Sequence, residues 1–298
     1  MRLHHAFRAM GSPCSLALDG DDDAQLRAAA QAVHAEVLRL EAKYSRYRAD
    51  SLTQRINATA GKTGIDVDDE TAALLDYAEV AWRESGGLFD PTSGVLRRAW
   101  DFRTQRLPTQ AEIARLLPLV GWHRVCWQRP HLRLPQAGME LDFGGWVKEY
   151  AADSAAARAR ALGIDHGYIE LGGDIRVLGP QQDGTPWRIG LRDPYRPHTA
   201  LVRVELIGGA VATSGDYERC IVVNGRRYGH ILDPRSGWPV EHTFTAVSVI
   251  APQTLVAGTA TTTAMLLGAD AGARWLKALG LPHLCVHADG RLSGPLAP

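Results

Sequence analysis

The sequence predicts an α+β fold in which mixed, mostly antiparallel sheets pack against helices. Two observations carry this. Apolar residues recur at helical spacing in several long segments, and between these lie runs of short strand-like segments separated by Gly, Pro and Asp turns. Asn224-Gly225, next to one such segment, is a hairpin signal and favours antiparallel pairing over a doubly wound parallel sheet.

An opening strand is expected around residues 14–18. The acidic turn at 19–23 then starts a helix on which Leu26, Ala30, Val33, Val37, Leu40 and Tyr44 form one apolar stripe. Asp68-Asp69 caps a second helix carrying Leu74, Leu75, Ala78 and Ala81, which ends before Ser85-Gly86-Gly87. Pro108-Thr109 begins a short helix over 111–117, and Val125 and Trp127 alternate with polar neighbours in a strand-like stretch from 122 to 134. An alanine-rich helix follows over roughly 146–162. Strands are expected at 167–171, 175–178, 187–191, 200–206, 210–213, 219–223 and 245–250. Helices over 254–267 and 271–279 and a strand at 283–286 complete the chain. With no linker, repeat or low-complexity tract, residues 1–298 read as one unit, or as two intimately packed halves of one.

Thirty-three Lys and Arg balance thirty-three Asp and Glu. Zero net charge argues against a nucleic-acid or membrane-surface partner, which calls for a basic excess. A small anionic ligand stays compatible, since a site needs only local donors. No run approaches the roughly 18 apolar residues of a membrane span. The segment MRLHHAFRAMGSPCSLALDG lacks an apolar core, and Cys14 follows Gly11-Ser12-Pro13 and no hydrophobic run, so a cytoplasmic protein without a lipid anchor is expected. Cys14, Cys126, Cys220 and Cys285 lie far apart without a CxxC pair, so buried reduced thiols are expected, with neither a zinc site nor a disulfide framework.

Five segments carry chemistry. Asp142-Phe-Gly-Gly-Trp-Val-Lys-Glu-Tyr is a strand-to-helix turn whose backbone N–H groups suit an anion, tight-turn geometry being the plainer reading. Neither GxGxxG nor GxxxxGK[ST] occurs. Glu170-Leu-Gly-Gly-Asp-Ile-Arg ends a strand in a glycine pair, which admits a flat ligand or simply makes a bulge. Ala212-Thr-Ser-Gly-Asp-Tyr-Glu-Arg gathers hydroxyls and a carboxylate in a hydrophilic loop. His230-Ile-Leu-Asp-Pro-Arg-Ser-Gly-Trp-Pro puts an imidazole and a carboxylate at a loop mouth, either as a proton carrier or as an Asp-Pro turn with a backbone-bonded histidine. Thr259, Thr261, Thr262 and Thr263 crowd one helix, either back-bonding to its carbonyls or presenting hydroxyls to a ligand. Gly258 and Thr262, four apart, share a face of it.

In order along the chain, these segments resemble the flavin transferases of the ApbE type, the FAD:protein FMN transferases. The matches are Ala9-Met-Gly-Ser12, Tyr47-Arg-Ala-Asp-Ser51 with Asn57, Gly87-Leu-Phe-Asp-Pro-Thr92, Leu141-Asp-Phe-Gly-Gly145 with Lys148 and Tyr150, Leu171-Gly-Gly-Asp174, Ala212-Thr-Ser-Gly215 and the His230 segment. The resemblance implies an ApbE-like, T-fold-like architecture. It implies Mg²⁺-dependent transfer of FMN from FAD to a Thr or Ser hydroxyl of an acceptor flavoprotein, releasing AMP. The alternatives are hydrolysis of FAD to FMN and AMP, and FAD binding without turnover. It further implies that Met10, Tyr47, Gly87, Leu88, Phe89, Asp142, Lys148, Ile231 and Leu232 contact FAD. His230 is then the proton acceptor, and a Gly145 backbone oxygen and the Thr262 hydroxyl are metal ligands.

One departure matters. Members of the family typically carry an aspartate four residues before the helical threonine, where this chain has Gly258. Mg²⁺ is usually held by one or two carboxylates together with phosphate oxygens. Metal binding should therefore weaken, unless Asp142, Asp174 or Asp216 moves in. Many relatives are also exported lipoproteins, unlike the location expected here.

Overall fold

A computed structural model describes residues 1–196, 199–217, 219–241 and 243–298. Strands β1 (Arg2–Ala9) and β2 (Ser12–Asp19) lead into helices α1 (Asp23–Tyr44) and α2 (Leu52–Ala58). Next come β3 (Ile65–Asp66), α3 (Asp69–Glu84), α4 (Gln110–Leu116), β4 (Cys126–Gln128), β5 (His131–Arg133) and α5 (Val147–Ala161). Strands β6 (His166–Leu171), β7 (Asp174–Gly179), β8 (Trp187–Arg192), β9 (Ala200–Leu206), β10 (Gly209–Gly215), β11 (Cys220–Val223), β12 (Arg226–Gly229) and β13 (Ala246–Ala251) follow. The chain closes with α6 (Thr254–Leu267), α7 (Ala269–Leu279), β14 (His283–Val286) and β15 (Leu292–Ser293).

An eight-stranded sheet runs β1-β2-β6-β7-β10-β13-β14-β15. Every neighbouring pair in it is antiparallel, as the α+β prediction requires. Both of its faces are covered. Leu16 and Leu18 of β2 join the core with α1 and α5, whereas Ala17 points the other way, into the hydrophobic cluster of the β8–β9 hairpin. The same two-residue alternation sends Ala212 toward α6 and Val211 toward β8–β9. On the helical side, Ala151, Ala152, Ala155, Ala156 and Ala159 of α5 are fully buried, and their small side chains let the helix approach both α1 and the sheet closely.

Local signals set the helix ends. Asp22 accepts from the Ala24 and Gln25 amides at the start of α1, Asp68 caps α3, and Thr109 with Glu112 makes a capping box on α4. Asn224 and Gly225 both have positive φ in the two-residue β11–β12 turn.

Some elements escape the sequence pattern. β1 lies at the sheet edge and alternates exposed and half-buried residues, so it carries no apolar run. α2 spans only seven residues and is marked chiefly by its Ser51 cap. β10 extends to Gly215, so the first half of the supposed hydrophilic loop is strand. Glu218 of that segment lies outside the described residues. All four cysteines are free, but only Cys14 and Cys285 are buried. Cys126 is exposed and Cys220 half-buried, which corrects the expectation of four buried thiols. No helix among the described residues is long and apolar enough to cross a membrane.

Candidate functional site

At the centre of the sheet, the start of α5 meets β7, β10 and the middle of α6. The Gly144-Gly145 turn feeds α5, whose first turn carries Lys148 and Glu149. The Lys148 ammonium pairs with Asp174 and lies 3.1 Å from Glu149 Oε1. Asp174 follows Gly172 and Gly173, whose φ values of 59° and 94° make the tight β6–β7 turn that sets the carboxylate against α5. Its other oxygen accepts from the Thr213 amide at 3.1 Å. Burial works against the Lys148 charge, but Asp174 and Glu149 outweigh it and hold the ammonium above its ordinary pKa. Burial pushes the Glu149 carboxyl up to about 7, against the opposing pull of Lys148.

Gly258 on α6 faces Glu149. A Cβ at position 258 would stand 2.5 Å from Glu149 Cγ and 3.2 Å from Oε1. One turn further along, Thr262 Oγ1 lies 3.2 Å from Ser214 Oγ, which is also 2.8 Å from Thr261 Oγ1. The threonine crowding thus divides in two. Thr261 back-bonds to the Gly258 carbonyl at 2.9 Å and Thr259 accepts from Tyr77 at 3.0 Å, while half-buried Thr262 faces Ser214 on β10.

A second group gathers around Asp142. Its carboxylate pairs with Arg46 and accepts from the Gly144 amide at 2.9 Å. Arg46 also donates to the Tyr47 hydroxyl at 2.9 Å, with its guanidinium carbon 5.0 Å from the Tyr47 ring centre. Tyr47 itself is 81% exposed, an aromatic face open to solvent. Sequence reasoning missed Arg46, and its only signal was adjacency to Tyr47. Asn57 braces the segment before that turn, accepting from the Leu141 amide at 2.7 Å and donating to its carbonyl at 3.0 Å; residues 134–146 form no strand, which corrects the expected strand-to-helix turn.

The Gly87-Leu88-Phe89 turn is anchored inside. Gly87, at φ 86°, donates to the Trp82 carbonyl, Phe89 donates to Ser85 Oγ, and both Leu88 and Phe89 are buried. The Phe89 ring stands 5.9 Å from that of Trp146 and so supports the Gly144-Gly145 turn from behind. Met10 occupies the β1–β2 turn at φ 52°, where its amide donates to Glu41 at 2.8 Å.

His230 follows β12, with its Nδ1 buried and without a hydrogen-bond partner. Burial, and then the nearby Arg219 charge, lower its pKa to about 4, so the imidazole is neutral at pH 7. The carboxylate expected beside it is engaged elsewhere. Asp233 closes its own turn, accepting from the Arg235 amide at 2.8 Å and its guanidinium at 2.7 Å. Ile231 packs into the cluster of α6 and β13, and Leu232 into that of Trp100 and Trp238, so His230 is wedged between two cores. No hydrogen bond or ion pair among the described residues joins His230 to the Lys148–Asp174 group.

No cluster of three or more His, Cys, Asp or Glu suited to a metal occurs among the described residues. The oxygens around α5 and α6 nonetheless suit a hard cation. Glu149 Oε2 is buried and unpartnered, and no hydrogen bond among the described residues ends on the Gly145 carbonyl.

Comparison with known proteins extends this picture across the chain. The family model described as ApbE family matches residues 10–285. The chain is 33% identical over 273 residues to the FAD:protein FMN transferase of Klebsiella pneumoniae, covering 90% of this chain and 83% of that protein. Among solved structures it is similar to the ApbE protein of Thermotoga maritima, with a TM-score of 0.90, 29% identity, and coverage of 99% of this chain and 97% of that one. The apo form of the flavinyl transferase ApbE of Pseudomonas stutzeri gives a TM-score of 0.86 at 31% identity, over 98% of this chain and 93% of that one. With an antiparallel sheet that superposes on theirs and a family match over nearly its whole length, this chain belongs to the ApbE family.

Proposed function

We propose that this chain moves the FMN moiety of FAD onto a Thr or Ser hydroxyl of an acceptor flavoprotein and releases AMP. The unbroken family match over residues 10–285, with curated relatives named FAD:protein FMN transferase, carries the proposal. It also supports reading residues 1–298 as one functional unit.

The chemistry is phosphoryl transfer, in which positioning and charge neutralisation do most of the catalysis. Lys148, held charged between Asp174 and Glu149, pins both carboxylates beside the Gly144-Gly145 turn, where it would meet FAD. His230, neutral at pH 7, can accept the proton of an attacking hydroxyl. The exposed Tyr47 ring, steadied by Arg46, offers a flat face for stacking a flavin. Gly145 through its carbonyl and Thr262 through its hydroxyl would hold Mg²⁺. When bound, that cation would neutralise phosphate oxygens.

The test incubates the full chain with FAD, Mg²⁺ and a candidate acceptor, followed by mass spectrometry. An FMN adduct on a Thr or Ser with matching release of AMP is expected. Free FMN and AMP without an adduct would show hydrolysis, and retained FAD without AMP would show a binder; either overturns the proposal. Replacing His230 by Ala should lower kcat by about 10²–10⁴-fold.

A further inference from the structure

The three aspartates that the sequence offers in place of a carboxylate at position 258 are all engaged. Asp142 pairs with Arg46, Asp174 with Lys148 and the Thr213 amide, and Asp216 lies 3.3 Å from Arg227. The carboxylate that fills the space beside Gly258 comes from a different helix. We propose that Glu149 is the anionic ligand of this chain's divalent-cation site, reaching from α5 into the room that a side chain at position 258 would otherwise occupy. This rests on the metal-dependent reading of the site given above.

Three observations converge on it. A glycine inside a helix costs about 0.5–1 kcal/mol relative to alanine, so Gly258 calls for a packing reason. Glu149 supplies that reason, because any Cβ there would stand 2.5 Å from its Cγ. Next, Glu149 divides its oxygens: Oε1 faces Lys148, whereas Oε2 is buried with no partner. A buried carboxylate oxygen left without a donor is unfavourable, and a cation would satisfy it. Finally, the other donors stand at related positions. Thr262 is one turn beyond Gly258 on the same face of α6, and Gly145 lies four residues before Glu149, with no hydrogen bond among the described residues ending on its carbonyl. The position of the anionic ligand has thus exchanged helices, with the glycine taking the place the carboxylate left.

The test titrates Mn²⁺ into the full chain, alone and with FAD against a protein-free FAD blank, and counts free Mn²⁺ by its EPR signal. Loss of partners one shell out from a metal costs about 10–100-fold in affinity, so the isosteric Glu149→Gln should weaken Mn²⁺ binding by roughly tenfold or more. Glu149→Gly should weaken it similarly, and Glu149→Gly combined with Gly258→Asp should recover most of the loss. Glu149→Gln binding Mn²⁺ as tightly as wild type would overturn the assignment. A double variant no tighter than Glu149→Gly would do the same, and it decides alone if Glu149→Gln does not fold. Wild type that transfers FMN yet binds no Mn²⁺ sinks the Glu149 assignment while leaving the transfer reading intact. Binding of Mn²⁺ through Glu149 without any FMN adduct does the reverse.

Discussion

His230 shows how burial selects proton chemistry at a single residue. Its surroundings lower the imidazole pKa from 6.5 to about 4, with burial the leading cause and the Arg219 charge second. The unfolded chain therefore binds more protons than the folded one between those two values. Stability from this group is complete above the unfolded pKa and falls as the pH drops toward about 4. Over that window the loss amounts to at most about 3 kcal/mol. Urea denaturation at pH 7 and pH 5 should show wild type losing more stability than His230→Gln, which has no imidazole to protonate. Equal losses would mean that the imidazole is not held neutral by burial. The Glu149–Gly258 contact is the second residue-scale decision, since a helical glycine looks like a defect until its neighbour is known.

Among the elements, α6 depends most on another helix. Its N-cap residue, Gln253, makes no side-chain cap bond. Asp153 of α5 does the work instead, accepting from the Thr254 and Leu255 amides at 2.9 Å each while paired with Arg176 at 3.2 Å. Asp153→Ala should cost about 1–2 kcal/mol in urea denaturation, the range of a lost cap or of a charge-assisted hydrogen bond. Asp153→Asn, which keeps an acceptor oxygen, should lose less. A neutral Asp153→Ala would show that α6 is held by packing alone. Because α6 carries both Gly258 and Thr262, this cap also fixes the α6 side of the site against α5.

On the scale of the whole molecule, the sheet and the helices on one face bring Lys148, Asp174, Ser214 and Thr262 together from segments far apart in the chain. Lys148 ties α5 to β7 across that junction. Removing one partner of a buried ion pair leaves the other charge uncompensated. Lys148→Met should therefore destabilise the fold by about 2–4 kcal/mol, allowing for partial solvent access. Adding Asp174→Asn should restore part of that loss, and chemical denaturation of the single and double variants measures both. No restoration would show that packing of the lysine stem, and not its charge, matters here.

Local chemistry was enough to read much of this protein from its sequence. The 3.6-residue stripe of α1, the Asp68 and Thr109 caps, the Asn224-Gly225 turn and the alternating strands each encode their element within a few residues. The collinear motifs likewise pointed to the family that the matches then showed. What stayed hidden depends on distance in the chain. β1 is an edge strand whose partner alone defines it, and Arg46 matters only once Asp142, 96 residues away, is folded against it. Gly258 looked like a lost carboxylate because the sequence cannot show what stands opposite a missing side chain. Only the packing of α5 against α6 places Glu149 in that space, since two helices must dock before one residue's absence becomes room for another's carboxylate.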